Sequence, residues 1–259
     1  MKFKKSLCCL LAVLPTFAAA EQTITLTYEN ADSYPFAMTD GSGLNLILLR
    51  MADEALPEVS FKYEQVPWQR CLNNIETGTT EGCFTASFKE ERLKHGYYPG
   101  TLDGGKDDPS LALHNSSYSL YVLKDSPISV TGAMKIEGLT GKIAVPAGYS
   151  IGDDLTKAGY EIDATAAKTF QNFQKLANGR VAAVAALTPD GENMLNKNPE
   201  FSSKIKVLPT PLVDKPYYLM FSKQFVQSNR ALAEKIWATL AELRESQAYK
   251  DEAGAYLAK

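Results

Sequence analysis

Histidine and cysteine are scarce in this chain, and their scarcity bears first on metal chemistry. The 259 residues include two histidines, His95 and His114, and four cysteines, of which two lie close to the N-terminus. Transition-metal sites are commonly built from three or four such side chains brought together by close spacing. The histidines are isolated from each other and from the remaining cysteines. We therefore expect no metal site, and we expect no cofactor.

An excess of positive charge and a second long apolar run are also missing. The formal net charge is −3, whereas a nucleic-acid-binding domain would be expected to carry a basic patch. After residue 20 no segment approaches the roughly 18 consecutive apolar residues that a membrane-spanning helix needs. These absences predict a mature protein that is soluble and has no nucleic-acid partner, and we expect a monomer.

Residues 1–20 have the pattern of a secretory signal peptide. Lys2, Lys4 and Lys5 form the charged start, residues 7–17 an apolar run too short to span a bilayer, and residues 18–20 a small-residue cleavage site. Cleavage after Ala20 would leave 239 residues. Cleavage would remove three lysines, so the mature chain would have 24 basic and 30 acidic residues and a formal net charge of −6. The mature protein is expected to be periplasmic.

Residues 68–92 are the most informative stretch of the chain. Apolar residues recur there at the spacing of a helix buried on one face: Trp68, Cys71, Leu72 and Ile75. Gly78 then supplies a C-cap that can take a positive φ. A short strand follows over residues 83–87, with hydroxyl side chains at Thr85 and Ser87, and Arg92 comes five residues later.

Those last residues have the chemistry of an anion-binding site. In open α/β sheets, ligands bind just beyond the carboxyl ends of the strands. Two hydroxyls and a guanidinium at such a place suit a small anionic group, typically a carboxylate. The alternative for Arg92 is a solvated charge within the charged run 89–94, and the alternative for Trp68 is a purely structural role in the core.

Cys71 and Cys83 are the two cysteines that would remain after cleavage. An even number in an oxidising compartment favours a disulfide, here between the helix and the start of the next strand. Closing a loop of about 13 residues would stabilise the fold by roughly 3 kcal/mol on the chain-entropy model. The alternative is two buried free thiols.

A second helix–glycine–strand unit occurs near residues 170–187, with Gly179 as the stop. Two such units, each among α and β segments, predict two similar α/β lobes with mostly parallel sheets. We expect lobe one over residues 21–115, lobe two over 116–212, and a return to lobe one over 213–259 through two crossover strands. A helix beginning at Ser228 and a last amphipathic segment from residue 248 would complete lobe one.

The order of several short motifs resembles bacterial extracellular solute-binding proteins of family 3, the periplasmic component of amino-acid-type ABC transporters. The motifs are Tyr-Pro-Phe at 34–36, Gly-Leu-Asn-Leu at 43–46, the 68–92 block, Leu-x-Gly-Lys-Ile-x-Val at 139–145, Gly-Tyr-Ser at 148–150, Asn-Gly-Arg-Val-x-Ala-Val at 178–184 and Pro-Tyr-Tyr-Leu-Met-Phe-Ser-Lys at 216–223. The resemblance covers nearly the whole mature chain. It implies a two-lobed type II (Venus-flytrap) fold, a small-molecule solute and a membrane permease as partner.

The resemblance also implies roles for individual residues. Arg92 would bind the carboxylate of the solute, helped by Thr85 and Ser87. From lobe two, the turn containing Tyr149 and Ser150 would present backbone N–H groups at a helix N-terminus, which favours an anion. The simpler alternative for Ser150 is a capping box with Asp153. From lobe one, Tyr34 and Trp68 could stack on the solute.

The chain departs from this pattern at Leu187. Amino-acid binders of the family usually carry an aspartate there, which pairs with the ammonium group of the solute. A buried ammonium without a counter-charge is costly. Another acid could replace the aspartate (Asp190, Glu29 or Asp32), aromatic faces could do so through cation–π contacts, or the solute could lack an α-ammonium.

One motif favours a different class of protein. Residues 148–152 match Gly-x-Ser-x-Gly, the nucleophile elbow of α/β-hydrolases, with Ser150 at its centre. In that fold the acid and the histidine follow the serine along the chain, but both histidines here precede Ser150. The expected function is therefore solute capture for an ABC transporter. Ligand sensing without transport is the alternative, and a serine hydrolase a remote one; we expect no enzyme.

Overall fold

The computed structural model describes residues 21–258, and the predicted signal peptide lies outside this range. The strands are β1 (Gln22–Glu29), β2 (Val59–Val66), β3 (Gly82–Ser87), β4 (Gly96–Tyr97), β5 (His114–Leu123), β6 (Ser129–Gly132), β7 (Lys135–Glu137), β8 (Ile143–Ala144), β9 (Ile162–Asp163), β10 (Ala183–Leu187), β11 (Ile205–Val207) and β12 (Val213–Ser222). The α-helices are α1 (Leu44–Ala55), α2 (Trp68–Thr77), α3 (Ser150–Lys157), α4 (Thr169–Ala177), α5 (Thr188–Lys197), α6 (Pro199–Ser202), α7 (Lys223–Glu245) and α8 (Gln247–Leu257). Two short 3₁₀ turns occupy Glu90–Lys94 and Pro109–Leu111.

Ten of the strands form one continuous sheet in the order β2-β1-β3-β12-β5-β10-β8-β9, with β4 paired to β12 and β11 to β5. Strands β2, β1 and β3 pair in parallel, and so do β10, β8 and β9. Between these two parallel sections lie β12 and β5, which pair antiparallel to each other and to their outer neighbours. The two predicted sheets are thus joined edge to edge through the two crossover strands.

Apolar side chains cover both faces of each parallel section. Against β1–β3, one cluster joins α1, α7 and α8, with Leu26, Leu48 and Trp237 among its buried members, and α2 packs on the opposite face. The β8–β10 section lies between a cluster with α3 and one with α4 that includes Phe173. We call these two layered units lobe one and lobe two. The predicted boundaries at residues 115 and 213 stay a prediction.

Most element types follow the sequence prediction, with one clear correction at the C-terminal helices. Helix α7 begins at Lys223, and its N-cap is Ser222, whose hydroxyl accepts a hydrogen bond from the N–H of Phe225 at 3.1 Å. Non-helical torsion angles at Asn229 divide α7 into a short first segment and a long second one. The helix predicted to begin at Ser228 corresponds to the long segment, and the sequence analysis missed the short segment before it. The end of β12 therefore leads directly into the helix that returns to lobe one. Over residues 21–258, no helix has the length and apolarity to span a membrane.

Candidate functional site

A narrow cleft, with room of about 20 Å³ for the centres of water-sized spheres, lies where the ends of the central strands meet the start of α3. It is lined by residues of both lobes and of the crossover strands: Glu29, Ser33, Trp68, Thr85, Ser87, Arg92, Tyr118, Tyr149, Ser150, Leu187 and Tyr217. Six of the seven residues predicted to contact a solute are in this set. The seventh, Tyr34, does not line the cleft, although its neighbour Ser33 does, so a contact from Tyr34 stays a prediction.

Arg92 is buried in this cleft, with only 4 % of its surface exposed. Its guanidinium donates to the carbonyl of Ser87 at 2.8 Å and to the carbonyl of Gly148 in lobe two at 3.0 Å. It also lies 5.1 Å from the ring centroid of Trp68. Within residues 21–258 no carboxylate oxygen comes within 4.0 Å of it. Arg92 is thus a buried cation held by neutral acceptors, which excludes the solvated surface charge considered from the sequence.

Two serine hydroxyls meet across the cleft beside this guanidinium. The Oγ atoms of Ser87 in lobe one and Ser150 in lobe two are 2.8 Å apart, and both residues are almost fully buried. Arg92 also reaches the Oγ of Ser87 at 3.4 Å. The site therefore brings a cation and small hydroxyls from opposite lobes to one place, an arrangement suited to the oxygens of a carboxylate.

Thr85 enters the cleft through an irregularity of strand β3. Between the pairs Cys83–Met220 and Ala86–Tyr218 the register of β3 and β12 shifts, so that two residues of β3 oppose one of β12. Within this bulge Thr85 has φ of 64°, a value rarely adopted by β-branched residues. Bulges and strained torsion angles of this kind concentrate at functional sites. The bulge is what directs Thr85 toward the cleft.

Ser150 is the first residue of α3, and the predicted capping box with Asp153 does not form. The N-cap is Tyr149, and no side chain caps the helix. The Ser150 hydroxyl instead contacts Ser87 and accepts a hydrogen bond from the Nζ of Lys215 at 3.1 Å. The Ser150 hydroxyl is thus used for contacts across the cleft and not for capping its own helix.

Trp68 and Gly148 bring the two lobes into close approach. The indole N–H of Trp68 donates to the carbonyl of Gly148 at 3.2 Å. Gly148 has φ of 78°, and a Cβ there would overlap the side-chain amide of Gln69. Only glycine fits this position without strain. Trp68 also packs in the apolar cluster of α2, so it belongs to the core and to the cleft wall at once.

Charged side chains on α3 extend this contact between the lobes. Three ion pairs join the helix to lobe one and to β12: Lys89 with Asp153, Lys157 with Glu91, and Lys215 with Asp154. Of these, the Lys157–Glu91 pair is well exposed and is worth little on its own. Together with the Arg92, Ser87 and Trp68 contacts, they hold the two lobes against each other.

Leu187 lines the cleft at the position where an aspartate was considered, and three acids lie nearby. Glu29 is the one that lines the same cleft. Its carboxylate accepts a hydrogen bond from Tyr149 at 2.5 Å, and burial raises its pKa to about 7. Asp190 and Asp32 line a neighbouring cavity between the lobes instead. Burial raises the pKa of Asp190 to about 6, and its carboxylate accepts from Thr169 at 2.7 Å.

Two tyrosines of the crossover strands, Tyr118 and Tyr217, are site residues that the sequence analysis missed. Tyr118 lies on β5 and Tyr217 on β12, and both are buried at the floor of the cleft. Burial raises the pKa of Tyr118 to about 12, so its hydroxyl stays neutral. The Pro-Tyr-Tyr motif at 216–218 was a possible signal, but which of its tyrosines faces the cleft depends on the register of β12 against β3.

A disulfide joins Cys71 and Cys83, as predicted, with 5.8 Å between the Cα atoms. It connects α2, which carries Trp68, to β3, which carries Thr85 and Ser87. Both cysteines are fully buried. The bridge therefore ties together the two elements that supply the lobe-one wall of the cleft.

Neither histidine of the described chain forms a hydrogen bond with Ser150. His114 has its Nδ1 3.0 Å from the side-chain oxygen of Asn45, and His95 pairs with Glu76. Lys215, which does reach Ser150, is ion-paired with Asp154. Among residues 21–258 the serine of the Gly-x-Ser-x-Gly match thus has no hydrogen bond with a histidine. Over residues 21–258 there is also no group of three or more potential metal ligands.

Comparison with protein-family models finds no match for this chain, and comparison with curated proteins finds none either. Solved structures do match. A histidine kinase sensor domain with similarity to periplasmic binding proteins superposes with a TM-score of 0.74 at 16 % identity, over 92 % of this chain and 96 % of that one.

Two further structures superpose over similar lengths. For a mutant of ArgBP from T. maritima the TM-score is 0.70 at 20 % identity, with 92 % and 96 % covered. For the GluR0 ligand-binding core from Nostoc punctiforme in complex with L-glutamate it is 0.68 at 15 % identity, with 90 % and 98 % covered. The chain thus has the two-lobed fold of periplasmic binding proteins, as the resemblance of its motifs implied.

Proposed function

We propose that this protein captures a small carboxylate-bearing solute between its two lobes. The observation that carries the proposal is Arg92, a buried guanidinium with no carboxylate of the described chain within 4.0 Å. A buried charge is costly unless it is paired, and a solute carboxylate would supply the pair. The hydroxyls of Ser87, Thr85 and Ser150 and the turn at Tyr149 would complete its coordination, with Trp68 beside it.

The mechanism follows from the distribution of these groups. Arg92 and Ser87 belong to lobe one, while Ser150 and Gly148 belong to lobe two, and the crossover strands lie between. A solute carboxylate held by groups of both lobes would favour the closed arrangement over an open one, because it interacts fully only when the lobes meet. Closure is therefore the expected response to the solute.

The direct test removes the guanidinium. We expect Arg92→Ala to weaken binding by roughly a hundredfold, since hydrogen bonds to charged groups contribute about 1.5–3 kcal/mol each. Arg70→Ala, which removes an exposed arginine of α2, is the matched control and should bind normally. The solute itself can be found by thermal-shift screening of amino acids and other small carboxylates. A ligand at 100 times its Kd stabilises by about 2.7 kcal/mol. Unchanged affinity in Arg92→Ala would contradict the proposal.

Delivery to a membrane permease of an ABC transporter is the proposed use of the captured solute. The support is the order of family-3 motifs along the chain and the fold shared with ArgBP from T. maritima. Deletion of the gene should abolish uptake of the labelled solute by the native bacterium and leave uptake of an unrelated solute intact.

We further propose that the protein is exported, monomeric and not an enzyme. Labelling by an active-site serine probe that is lost in Ser150→Ala would contradict the last point.

Sensing is the second candidate, favoured by the histidine kinase sensor domain with a TM-score of 0.74. The deletion strain separates the two roles. If uptake persists but the transcriptional response to the solute is lost, the protein is a sensor. The binding experiment with Arg92→Ala has the same expected result for both.

A further inference from the structure

Tyr217 carries a buried polar atom that the contacts described so far leave unused. Its side chain is 4 % exposed and lines the cleft. Tyr118 and Ser87 are the polar neighbours of its hydroxyl, but among the residues that the structure describes none meets it with the geometry of a hydrogen bond. Buried hydroxyls in folded proteins nearly always have a partner. A hydroxyl that faces a cleft without one is therefore available to a ligand.

The ring of Tyr217 is held in this orientation from behind. It stacks on His114 at 4.9 Å between centroids and 6° between planes, and His114 stacks on Phe36 at 3.5 Å and 11°. Asn45 then holds the imidazole of His114 through its side-chain oxygen. Burial lowers the pKa of His114 to about 3, so this stack stays neutral and intact at physiological pH. Tyr217 is a preorganised donor and not a mobile side chain.

The register of the sheet places Tyr217 beside the carboxylate-binding groups. Tyr217 pairs with Ser87 across β12 and β3, so their side chains lie on the same face. On β5 the partner of Tyr217 is His114, and Tyr118 lies four residues further along, where it pairs with Leu187 of β10. Tyr118 and Leu187 both line the cleft. Beyond Arg92 and Ser87, this part of the cleft thus offers two tyrosine hydroxyls and an aliphatic side chain.

Glu29 is the one acid among the described residues that line the cleft. Burial raises its pKa to about 7, so near neutral pH it carries only part of a negative charge. It already accepts a hydrogen bond from Tyr149. An ammonium next to the solute carboxylate would be desolvated against Leu187 without a full counter-charge. A neutral oxygen at the same position would instead satisfy Tyr217.

We infer that the solute is a 2-hydroxy or 2-oxo carboxylic acid, and that Tyr217 donates a hydrogen bond to the oxygen next to its carboxyl group. This inference rests on the proposed binding of a carboxylate by Arg92. Tyr217 is then a specificity-determining residue, Leu187 the side chain that disfavours the α-amino analogue, and His114 a positioning residue for Tyr217.

The test compares acids of one carbon skeleton by isothermal titration calorimetry. One set is phenyllactate, phenylpyruvate, phenylalanine and 3-phenylpropionate, and a smaller one is lactate, pyruvate, alanine and propionate. We expect the hydroxy or oxo acid of a set to bind at least tenfold more tightly than its amino and unsubstituted counterparts, because sites built around a substrate hydroxyl discriminate strongly against analogues lacking it. Tyr217→Phe should remove the advantage over the unsubstituted acid. Leu187→Asp should shift the preference toward the amino acid.

Tyr63→Phe is the matched control, because Tyr63 also has a buried hydroxyl without a partner in the described chain but does not line the cleft. It should leave all affinities unchanged, and circular dichroism verifies the fold of each variant.

Tighter binding of the amino acid than of the hydroxy or oxo acid overturns this inference and leaves the proposed binding of a carboxylate by Arg92 intact. A preference for the hydroxy acid that survives in Tyr217→Phe overturns the role of Tyr217. Binding of no acid in either set overturns carboxylate binding and this inference with it.

Discussion

The carboxylate of Glu29 in lobe one accepts a hydrogen bond from the hydroxyl of Tyr149 in lobe two, with 2.5 Å between the oxygens. Burial in the cleft raises the pKa of Glu29 from 4.5 to about 7, although the hydrogen bond from Tyr149 acts in the opposite direction. The contact between the lobes therefore includes a group whose charge changes near neutral pH.

The first prediction is a loss of stability as the pH rises from about 4.5 to about 7. Over this window the unfolded chain has released the proton of Glu29 while the folded protein still holds it, so the free energy of unfolding falls with pH. The loss is complete above about pH 7 and amounts to roughly 3 kcal/mol. The raised pKa of Asp190 acts in the same direction at slightly lower pH.

Glu29→Gln should flatten this dependence, since the amide has no proton to release and can still accept from Tyr149. Urea denaturation at pH 5, 6, 7 and 8 measures the effect. Glu21→Gln, which changes an exposed glutamate, serves as the control and should retain the slope of the wild type. Equal slopes for the wild type and Glu29→Gln would show that Glu29 titrates normally.

A second prediction concerns the close approach of the lobes at Gly148. Gly148→Ala and Gly159→Ala both place a side chain at positive φ, so each should lose about 1–2 kcal/mol of stability. At Gly148 the new Cβ would displace the amide end of Gln69, an exposed side chain that can move, and would lie 3.3 Å from the ring of Trp68, whereas nothing lies within 4 Å at Gly159. Solute affinity should therefore fall only in Gly148→Ala. Calorimetry on both variants measures their solute affinities and so separates the backbone strain, which they share, from the contact with Trp68, which only Gly148→Ala makes. Equal affinities of the two variants would show that closure of the lobes does not need the close contact at Gly148.

A third prediction concerns Thr85, where the positive φ should lower the stability of the protein while the hydroxyl contributes to solute binding. Thr85→Gly removes the strain of a β-branched residue at φ of 64°, whereas Thr85→Val keeps the strain and the volume but loses the hydroxyl. The glycine variant should therefore unfold at higher denaturant than the valine variant, by about 1–2 kcal/mol. Both should bind the solute more weakly than the wild type. If Thr85→Val has the higher free energy of unfolding of the two variants, the positive φ at residue 85 does not destabilise this protein.

A fourth prediction concerns the disulfide. Replacing Cys71 and Cys83 together by alanine should lower the free energy of unfolding by roughly 3 kcal/mol. Solute affinity should also fall, because α2 and β3 would no longer be tied together behind Trp68 and Ser87. The wild type treated with reductant should approach the double variant, while the double variant itself should not respond to reductant. Equal free energies of unfolding for the double variant and the wild type would contradict a stabilising role of the bridge.

The helices and strands that form through local pattern were predictable from the sequence. The stripe of α2 with its C-cap at Gly78, which has φ of 69°, follows from helical spacing and from the conformational freedom of glycine. Arg92, Ser87 and Thr85 were identifiable because they follow a buried strand within a few residues. The capping box considered as an alternative role for Ser150 does not form, and the helix predicted from Ser228 is preceded by a short segment that the sequence analysis missed. At Ser150, local capping chemistry was overridden by contacts with the opposite lobe; at Ser228, the stronger cap lay six residues earlier.

The sequence by itself determined the two-lobed α/β architecture, the cysteine pair and the anion-binding side chains of β3, because each depends on residues close together along the chain. Only the tertiary structure decided what surrounds Arg92. It brought Gly148 and Ser150 across the cleft, placed Glu29 in the wall of the cleft, and turned Tyr118 and Tyr217 toward the site. The positions of Ser87, Tyr118 and Tyr217 depend on the register of β3, β12, β5 and β10, which pair residues about 60 to 140 positions apart in the chain. A shift of one residue in that register would turn these three side chains to the opposite face.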